Sequence, residues 1–161
     1  MIIRLAESTG DIAAVRQLWL EYWESIGLPM DFQGFGEEWN GLPGVYGAAG
    51  GALLLALNED EAAGTIALRR LDRISGEVKR LFLRPRYRGQ GLAKRLLEAV
   101  IDRATAMQYE WLYADTLPSM KEALRLYAGV GFEPAEAYSN TPTPGAIYLK
   151  LRLVKVNAGP A

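Results

Sequence analysis

The chain has 161 residues, a formal net charge of −1 and an apolar fraction of 50%, a composition typical of one soluble globular domain over residues 1–161. It contains neither cysteine nor histidine, which excludes disulfides, cysteine-based zinc sites, cysteine nucleophiles and serine–histidine–aspartate triads. The N-terminus does not resemble a signal peptide and no apolar run reaches ~18 residues. We therefore expect a cytoplasmic protein, not bound to membranes, that uses Asp, Glu, Tyr, Lys or water for acid–base chemistry.

The N-terminal part of the chain predicts a strand followed by an amphipathic helix. Residues 1–5 (MIIRL) have the pattern of the strand, and polar side chains at Ser8 and Asp11 are typical of a helix start. Apolar residues then recur at helical spacing over 11–26, and Gly27 ends the run.

A glycine-rich, aromatic segment over 29–50 comes next, with a short helix predicted at 35–40. Two apolar runs then flank 58–61, which is the pattern of an antiparallel hairpin. The rest of the chain alternates between a strand in GEVKRLFLRP, a helix over 91–107, a strand in WLYADT, a further helix, and final strands near Phe132 and over 146–154. This order describes one α/β domain.

The further helix has a recognisable start. The segment SMKE (119–122) fits a capping box, with Ser119 as the N-cap and Glu122 three residues later. The helix is predicted to stop near Gly129 or Gly131.

The segment LRPRYRGQGLAKRLL (83–97) joins a basic cluster to a helix start. Seven basic residues and no acidic residue lie from Lys79 to Arg95. A helix N-terminus leaves about four backbone N–H groups unpaired and carries roughly half a positive charge, and glycines at 89 and 91 let a ligand approach them. The segment predicts a phosphate site, although a tight strand-to-helix turn alone also explains the glycines.

Two common phosphate-binding patterns do not fit this segment. A P-loop requires glycine, lysine and then serine or threonine, whereas Lys94 is misplaced and no hydroxyl follows it. A dinucleotide-binding turn requires a third glycine and the first strand of a βαβ unit, whereas this segment follows several antiparallel strands.

The pattern RGQGLA, with the strand before it, resembles motif A of the GNAT acyl-CoA N-acetyltransferases. The resemblance covers most of the chain, and its strongest part is the order and spacing of EVKRLFLRPRYRGQGLA and ADTLPSMKEALRLYAGVGF. It implies an α/β (α+β) GNAT fold: a mixed, mostly antiparallel central sheet, splayed at the middle strands and flanked by about four helices. It also implies acetyl-CoA as the cosubstrate and no metal.

The resemblance assigns ten residues to the binding of coenzyme A. The strand backbone matches the one that pairs with pantetheine and offers an amide to the oxyanion, and the following loop and first helical turn match the pyrophosphate site. Met120 departs from the family pattern, because many members have an asparagine there that touches pantetheine; Ser119 is a partial substitute. The ten residues are Leu81, Phe82, Leu83, Arg88, Gly89, Gln90, Gly91, Leu92, Ala93 and Lys94.

Three residues match the acid–base groups of the family. Tyr127 matches the tyrosine that protonates the departing thiolate; a core tyrosine is the alternative reading. Glu77 and Asp115 match carboxylates that different members use to deprotonate the amine, and a water chain is a third alternative; Glu77 is narrowly preferred. Because the chain has no cysteine, we expect direct transfer rather than an acyl-enzyme.

The expected acceptor is a primary amine of a small molecule or peptide, bound by a monomer or homodimer. The segment 29–50 combines aromatic residues with the acidic residues Asp31, Glu37 and Glu38. An acidic, aromatic entrance to the acceptor site suits a cationic amine. Segment 137–146 is expected to form the opposite wall of that entrance. Amino acids, polyamines, aminoglycosides and peptide N-termini all satisfy these features. Two rival functions are a non-catalytic acyl-CoA sensor and, given the basic run, a nucleic-acid-binding module, which the near-neutral net charge argues against.

Overall fold

The computed structural model describes residues 1–27, 29, 34–138 and 145–154. Over these residues the order of elements is the predicted one. The helices are α1 (Thr9–Ile26), α2 (Phe35–Asn40), α3 (Leu92–Ala106) and α4 (Lys121–Gly129). The strands are β1 (Ile2–Leu5), β2 (Ala52–Asn58), β3 (Glu61–Arg70), β4 (Ser75–Leu83), β5 (Trp111–Thr116), β6 (Glu133–Pro134) and β7 (Ile147–Arg152).

Helix α1 begins where its polar residues place it. The Ser8 hydroxyl accepts the N–H of Asp11 at 3.0 Å, and the Asp11 carboxylate accepts the N–H of Ser8 in return, which is a capping box. The same carboxylate accepts a hydrogen bond of 2.9 Å from Arg4, so the helix start is tied to β1. Gly27, at φ 69°, ends the helix in the left-handed conformation that favours glycine.

The described strands form one sheet in the order β1-β2-β3-β4-β5-β7-β6. All neighbouring pairs are antiparallel except β4 and β5, which are parallel. Helix α3 and Tyr127 of α4 pack in a core on one face of the sheet. Trp19 of α1 and Phe35 of α2 pack in a second core on the other face. The expected GNAT-type sheet with four flanking helices is confirmed.

The sheet splits between its two middle strands. Backbone pairing of β4 with β5 runs from Ser75 to Val78, and none of the later β4 residues has a partner among the described residues of β5. Just beyond Val78, β4 contains an extra residue relative to β3, because Ala67 faces Lys79 but Thr65 faces Phe82. Such a bulge bends the strand that contains it, so β4 turns away from β5.

Arg80 lies within this bulge and has a φ of 57°, in the left-handed region that few residues other than glycine adopt. Val78 packs in the core beneath α3, whereas Arg80 contacts the rings of Trp19 and Phe35 on the other face. The bulge thus directs both Lys79 and Arg80 toward the side of the sheet that α1 covers.

The prediction that Ser119 caps α4 is wrong: the N-cap is Met120, and no side chain caps the helix. The N–H of Met120 instead bonds to the carbonyl of Leu117 at 2.9 Å, so a turn precedes the helix.

Asp31, Phe32 and most of 137–146 lie outside the described residues. No helix in the described part of the chain is long and apolar enough to span a membrane.

Candidate active site

The split between β4 and β5 opens into a cleft of about 880 Å³. Its walls come from both faces of the sheet: Tyr22 and Trp23 of α1 lie on one side, and Leu92 of α3 and Tyr127 of α4 lie on the other. Residues 78–83 of β4 and 115–117 at the end of β5 form its edges. The cleft therefore joins the two faces of the sheet at the place where strand pairing is lost.

The backbone of β4 offers hydrogen-bonding groups to this cleft. The N–H of Arg84 donates to Ala63 of β3 at 2.9 Å, whereas the carbonyl of Leu83 accepts the Nε of Arg88 at 3.0 Å. Adjacent residues of a strand direct their backbone groups to opposite edges. The backbone groups of Leu81 and Leu83 therefore point away from β3 and toward the opening. An extended ligand placed there would add a strand to β4.

The start of α3 lies at the same cleft. Gly91 is its N-cap at φ 81°, with no side-chain cap, and Gly89 has a φ of 75°. A Cβ at either glycine would meet no atom within 4 Å, so the backbone conformation, rather than crowding, is what favours glycine there. The first N–H groups of α3 have no side-chain acceptor and face an open space, which suits a phosphate group.

Nine of the ten expected coenzyme A residues line the cleft, and Gln90 does not. The Gln90 side chain is exposed and donates to the carbonyl of Arg86 at 3.1 Å. The guanidinium of Arg88 lies 5.6 Å from the centre of the Phe82 ring. Arg88 and Lys94 thus place positive charge beside the start of α3.

Four of the seven cations in the basic run form ion pairs with carboxylates of the same chain. Their carboxylate partners lie far away in sequence, on the neighbouring strand β5 or, for Glu77, on β4 itself, so the run has fewer uncompensated charges than its sequence indicates. This also weakens the nucleic-acid interpretation, which depended on the run. The pairs are Arg80–Glu38 at 3.0 Å, Arg84–Glu21 at 2.8 Å, Arg86–Glu61 at 2.9 Å, and Lys79 with both Glu77 and Asp115.

Tyr127 and Asp115 lie in the cleft together. The Tyr127 side chain is buried against Phe132, with ring centres 5.0 Å apart. Burial raises the pKa of Tyr127, and the nearby Tyr22 and Asp115 raise it further, so its hydroxyl stays protonated at neutral pH. Asp115 is partly exposed, and its Oδ1 lies 3.5 Å from the Nζ of Lys79.

Glu77 is placed differently from Asp115. It is only 2% exposed and does not line the cleft. Its Oε1 accepts the Nε of Arg69 at 2.6 Å, and its Oε2 lies 3.7 Å from the Nζ of Lys79. A carboxylate held by two cations and shielded from the cleft is a poor candidate for contact with a substrate amine.

Sequence reasoning did not single out Tyr22 or Lys79, and both line the cleft. Tyr22 occupies a position in the apolar repeat of α1, so its spacing indicates only a core residue; its ring lies 5.7 Å from that of Phe82. Lys79 belongs to the basic run, and no pattern in the run separates it from its neighbours. Met120 also lines the cleft, and its Sδ accepts the hydroxyl of Thr116 at 3.4 Å.

Comparison with known proteins agrees with this geometry. The model of the acetyltransferase (GNAT) family matches residues 12–132. An uncharacterised N-acetyltransferase of Schizosaccharomyces pombe is 31% identical over 147 residues, which cover 90% of each chain. A GNAT-family acetyltransferase of Staphylococcus aureus has a similar fold, with a TM-score of 0.80, 22% identity, and coverage of 95% of this chain and 100% of its own.

A structure of an acetyltransferase from Salmonella typhimurium with acetyl-CoA also shares the fold. Its TM-score is 0.71 at 18% identity, over 100% of this chain and 98% of the other. The split sheet, the uncapped start of α3 and the family match over three quarters of the sequence lead to one conclusion. The chain belongs to the GNAT family and is an N-acetyltransferase that uses acetyl-CoA.

Proposed function

We propose that this enzyme acetylates a primary amine directly, with Asp115 as the general base and Tyr127 as the general acid. The observation that carries the proposal is that both side chains lie in the same cleft, at the point where β4 and β5 separate. Glu77 is the alternative base, but its burial and its ion pair with Arg69 favour Asp115.

Acetyl-CoA supplies the acetyl group as a thioester. The backbone edge of β4 at Leu81 and Leu83 would hold the extended arm of coenzyme A, and the start of α3 with Arg88 and Lys94 would hold its phosphates. The backbone N–H groups at that edge of β4 also suit the oxyanion that develops on the thioester carbonyl. Donors that are fixed in place stabilise such a charge without reorganising.

Proton transfers accompany each change of bonding in this reaction. The bound ammonium first loses one proton to solvent through Asp115. The neutral nitrogen then bonds to the carbonyl carbon and passes its second proton to Asp115, directly or through water. The carbon–sulfur bond breaks, and the thiolate takes the proton of Tyr127. An amine pKa near ~10 makes the first transfer necessary at neutral pH. Return of the Asp115 proton to Tyr127 through water restores the starting state.

A turnover screen tests this proposal. The protein is incubated with acetyl-CoA and panels of amino acids, polyamines, aminoglycosides and short peptides with free N-termini, while the release of free thiol is followed and the acetylated product is identified by its mass. We expect amine-dependent thiol release with at least one class. Tight binding of acetyl-CoA without amine-dependent release in any class would favour a sensor and contradict the proposal.

A further inference from the structure

Four charged side chains from three adjacent strands form a cluster beside the cleft. Arg69 comes from β3, Glu77 and Lys79 from β4, and Asp115 from β5. Ion pairs connect them in the order Arg69, Glu77, Lys79, Asp115, with distances of 2.6, 3.7 and 3.5 Å. We call these four residues the charge cluster. It contains two cations and two carboxylates, so its net charge is zero.

Lys79 is the loosely held member of the charge cluster. Its Nζ contacts both carboxylates at distances beyond those of a strong charge-assisted hydrogen bond, which are near ~2.8 Å. Among the described residues its Nζ makes no hydrogen bond, although an ammonium has three donors. The side chain is 15% exposed and lines the cleft. These donors are accordingly available to a ligand.

A second cation on this side of the cleft, Arg80, is fully engaged. Arg80 donates to Glu38 at 3.0 Å and lies over the rings of Trp19, Trp23 and Phe35. Glu38 in turn accepts the hydroxyl of Tyr46. The charge of Glu38 is therefore compensated within the protein. Among the residues that the structure describes, Lys79 and Asp115 are the opposite charges that an acceptor in this part of the cleft would meet.

Charge balance then indicates what kind of amine fits. A simple ammonium ion at Asp115 would lie close to the Lys79 ammonium and would give the charge cluster a net positive charge, which is unfavourable in a partly desolvated site. An amine that also has an anionic group would keep the balance, because its ammonium would pair with Asp115 and its anion with Lys79. The separation of 3.5 Å between Oδ1 and Nζ requires the two substrate groups to be close together.

We propose that Lys79 is a specificity-determining residue that binds the carboxylate of the acceptor, and that the acceptor is a free α-amino acid. This inference rests on the proposed acetyl transfer to an amine at Asp115. It differs from the expectation of a purely cationic acceptor, because it requires a negative group next to the reacting nitrogen.

Matched substrates test the inference. Each amino acid of a small panel is compared with its own α-amide, which keeps the amine and side chain but removes the negative charge. We expect the wild-type enzyme to prefer the acid by about ten- to a hundredfold in kcat/KM, the range for a hydrogen bond between charged groups. In Lys79→Met this preference should fall to within about threefold, chiefly through KM for the acid, and Lys79→Arg should keep most of it.

Lys150→Met is the control for the substitution itself. Lys150 lies on β7 over the ring of Trp111 and does not line the cleft, so the acid-over-amide preference should stay at its wild-type value. Circular dichroism and the acetyl-CoA affinity show whether each variant is folded.

Three results would overturn the inference: a wild-type enzyme that accepts the amide as well as the acid, a Lys79→Met variant that loses equal activity on both, or a Lys150→Met variant that changes the preference as much. Calorimetry with the same acids and amides, in the presence of coenzyme A, separates this inference from the proposed function. If no thiol is released but the acid binds more tightly than the amide only when Lys79 is present, the specificity role stands and the proposed activity fails.

Discussion

Asp115 and Glu77 are both acidic strand residues, yet their surroundings differ. Asp115 follows Ala114, the last β5 residue that pairs with β4, and its carboxylate reaches the cleft where β4 has turned away. Glu77 lies in the middle of Gly76–Val78, the part of β4 that pairs with both neighbours, and Arg69 compensates its charge. The sequence motif matches both positions and cannot distinguish them, because their difference in burial depends on where β4 and β5 separate in space.

The two carboxylates make separable predictions. Asp115→Asn should lower kcat/KM by at least about tenfold near neutral pH, since general-base assistance is typically worth 10²–10⁴-fold and water can replace it in part. The deficit should shrink toward alkaline pH, because more of the amine is already deprotonated in solution. Rate profiles from neutral to alkaline pH measure both effects.

Glu77→Gln is the matched variant, because it makes the same change from a carboxylate to an amide. We expect it to alter thermal stability more than activity, since it leaves Arg69 without its 2.6 Å partner. If Glu77→Gln instead loses the activity that recovers at high pH while Asp115→Asn is normal, the base is Glu77. Normal activity in both variants would favour a water chain.

In the proposed function, the start of α3 serves both structure and binding. Gly91 has a positive φ, so the turn needs glycine whether or not a ligand binds. The same conformation leaves the first N–H groups of α3 without a side-chain cap. A sequence motif cannot separate these two reasons for glycine, but a matched pair of substitutions can.

Gly34 provides that match. It is the N-cap of α2 at φ 70°, also without a side-chain cap and without any atom within 4 Å of an added Cβ. Gly91→Ala and Gly34→Ala should therefore cost similar stability, roughly 1–2 kcal/mol for a left-handed alanine. Only Gly91→Ala should weaken acetyl-CoA binding, by about tenfold, because its methyl group occupies the space that the phosphates approach. Calorimetry at equal folded fraction makes the comparison, and equal affinities in the two variants would contradict the phosphate site.

Elements were predictable from the sequence to the extent that local chemistry fixes them. The helix start at Ser8 and Asp11 and the hairpin at 58–61 were found because their signals lie within a few residues. The cap at Ser119 was wrong because the Leu117–Met120 turn competes with it. The partners of Arg80 and Arg84 were not predictable, because Glu38 and Glu21 lie 42 and 63 residues away.

At the scale of the whole molecule, the decisive feature is the split sheet. The bulge at Arg80 and the end of the β4–β5 pairing at Val78 create a cleft that reaches both faces. In the proposed function, the start of α3 on one side binds the phosphates of acetyl-CoA, and the charge cluster on the other side binds the acceptor. The resemblance implied the split, but its position and the side chains beside it come from the strand register. The proposed catalytic groups, Asp115 and Tyr127, both line this cleft.

Replacement of Tyr127 by phenylalanine tests this account most directly. The hydroxyl is proposed to protonate the thiolate, an interaction that forms mainly in the transition state, so its loss should lower kcat and kcat/KM together while the acetyl-CoA affinity stays nearly constant. Phenylalanine keeps the ring that packs against Phe132, so folding should be preserved. We expect Tyr127→Phe to lose at least about tenfold in kcat on an accepted amine. A folded Tyr127→Phe enzyme with a normal kcat would make Tyr127 a core residue and contradict the proposed mechanism.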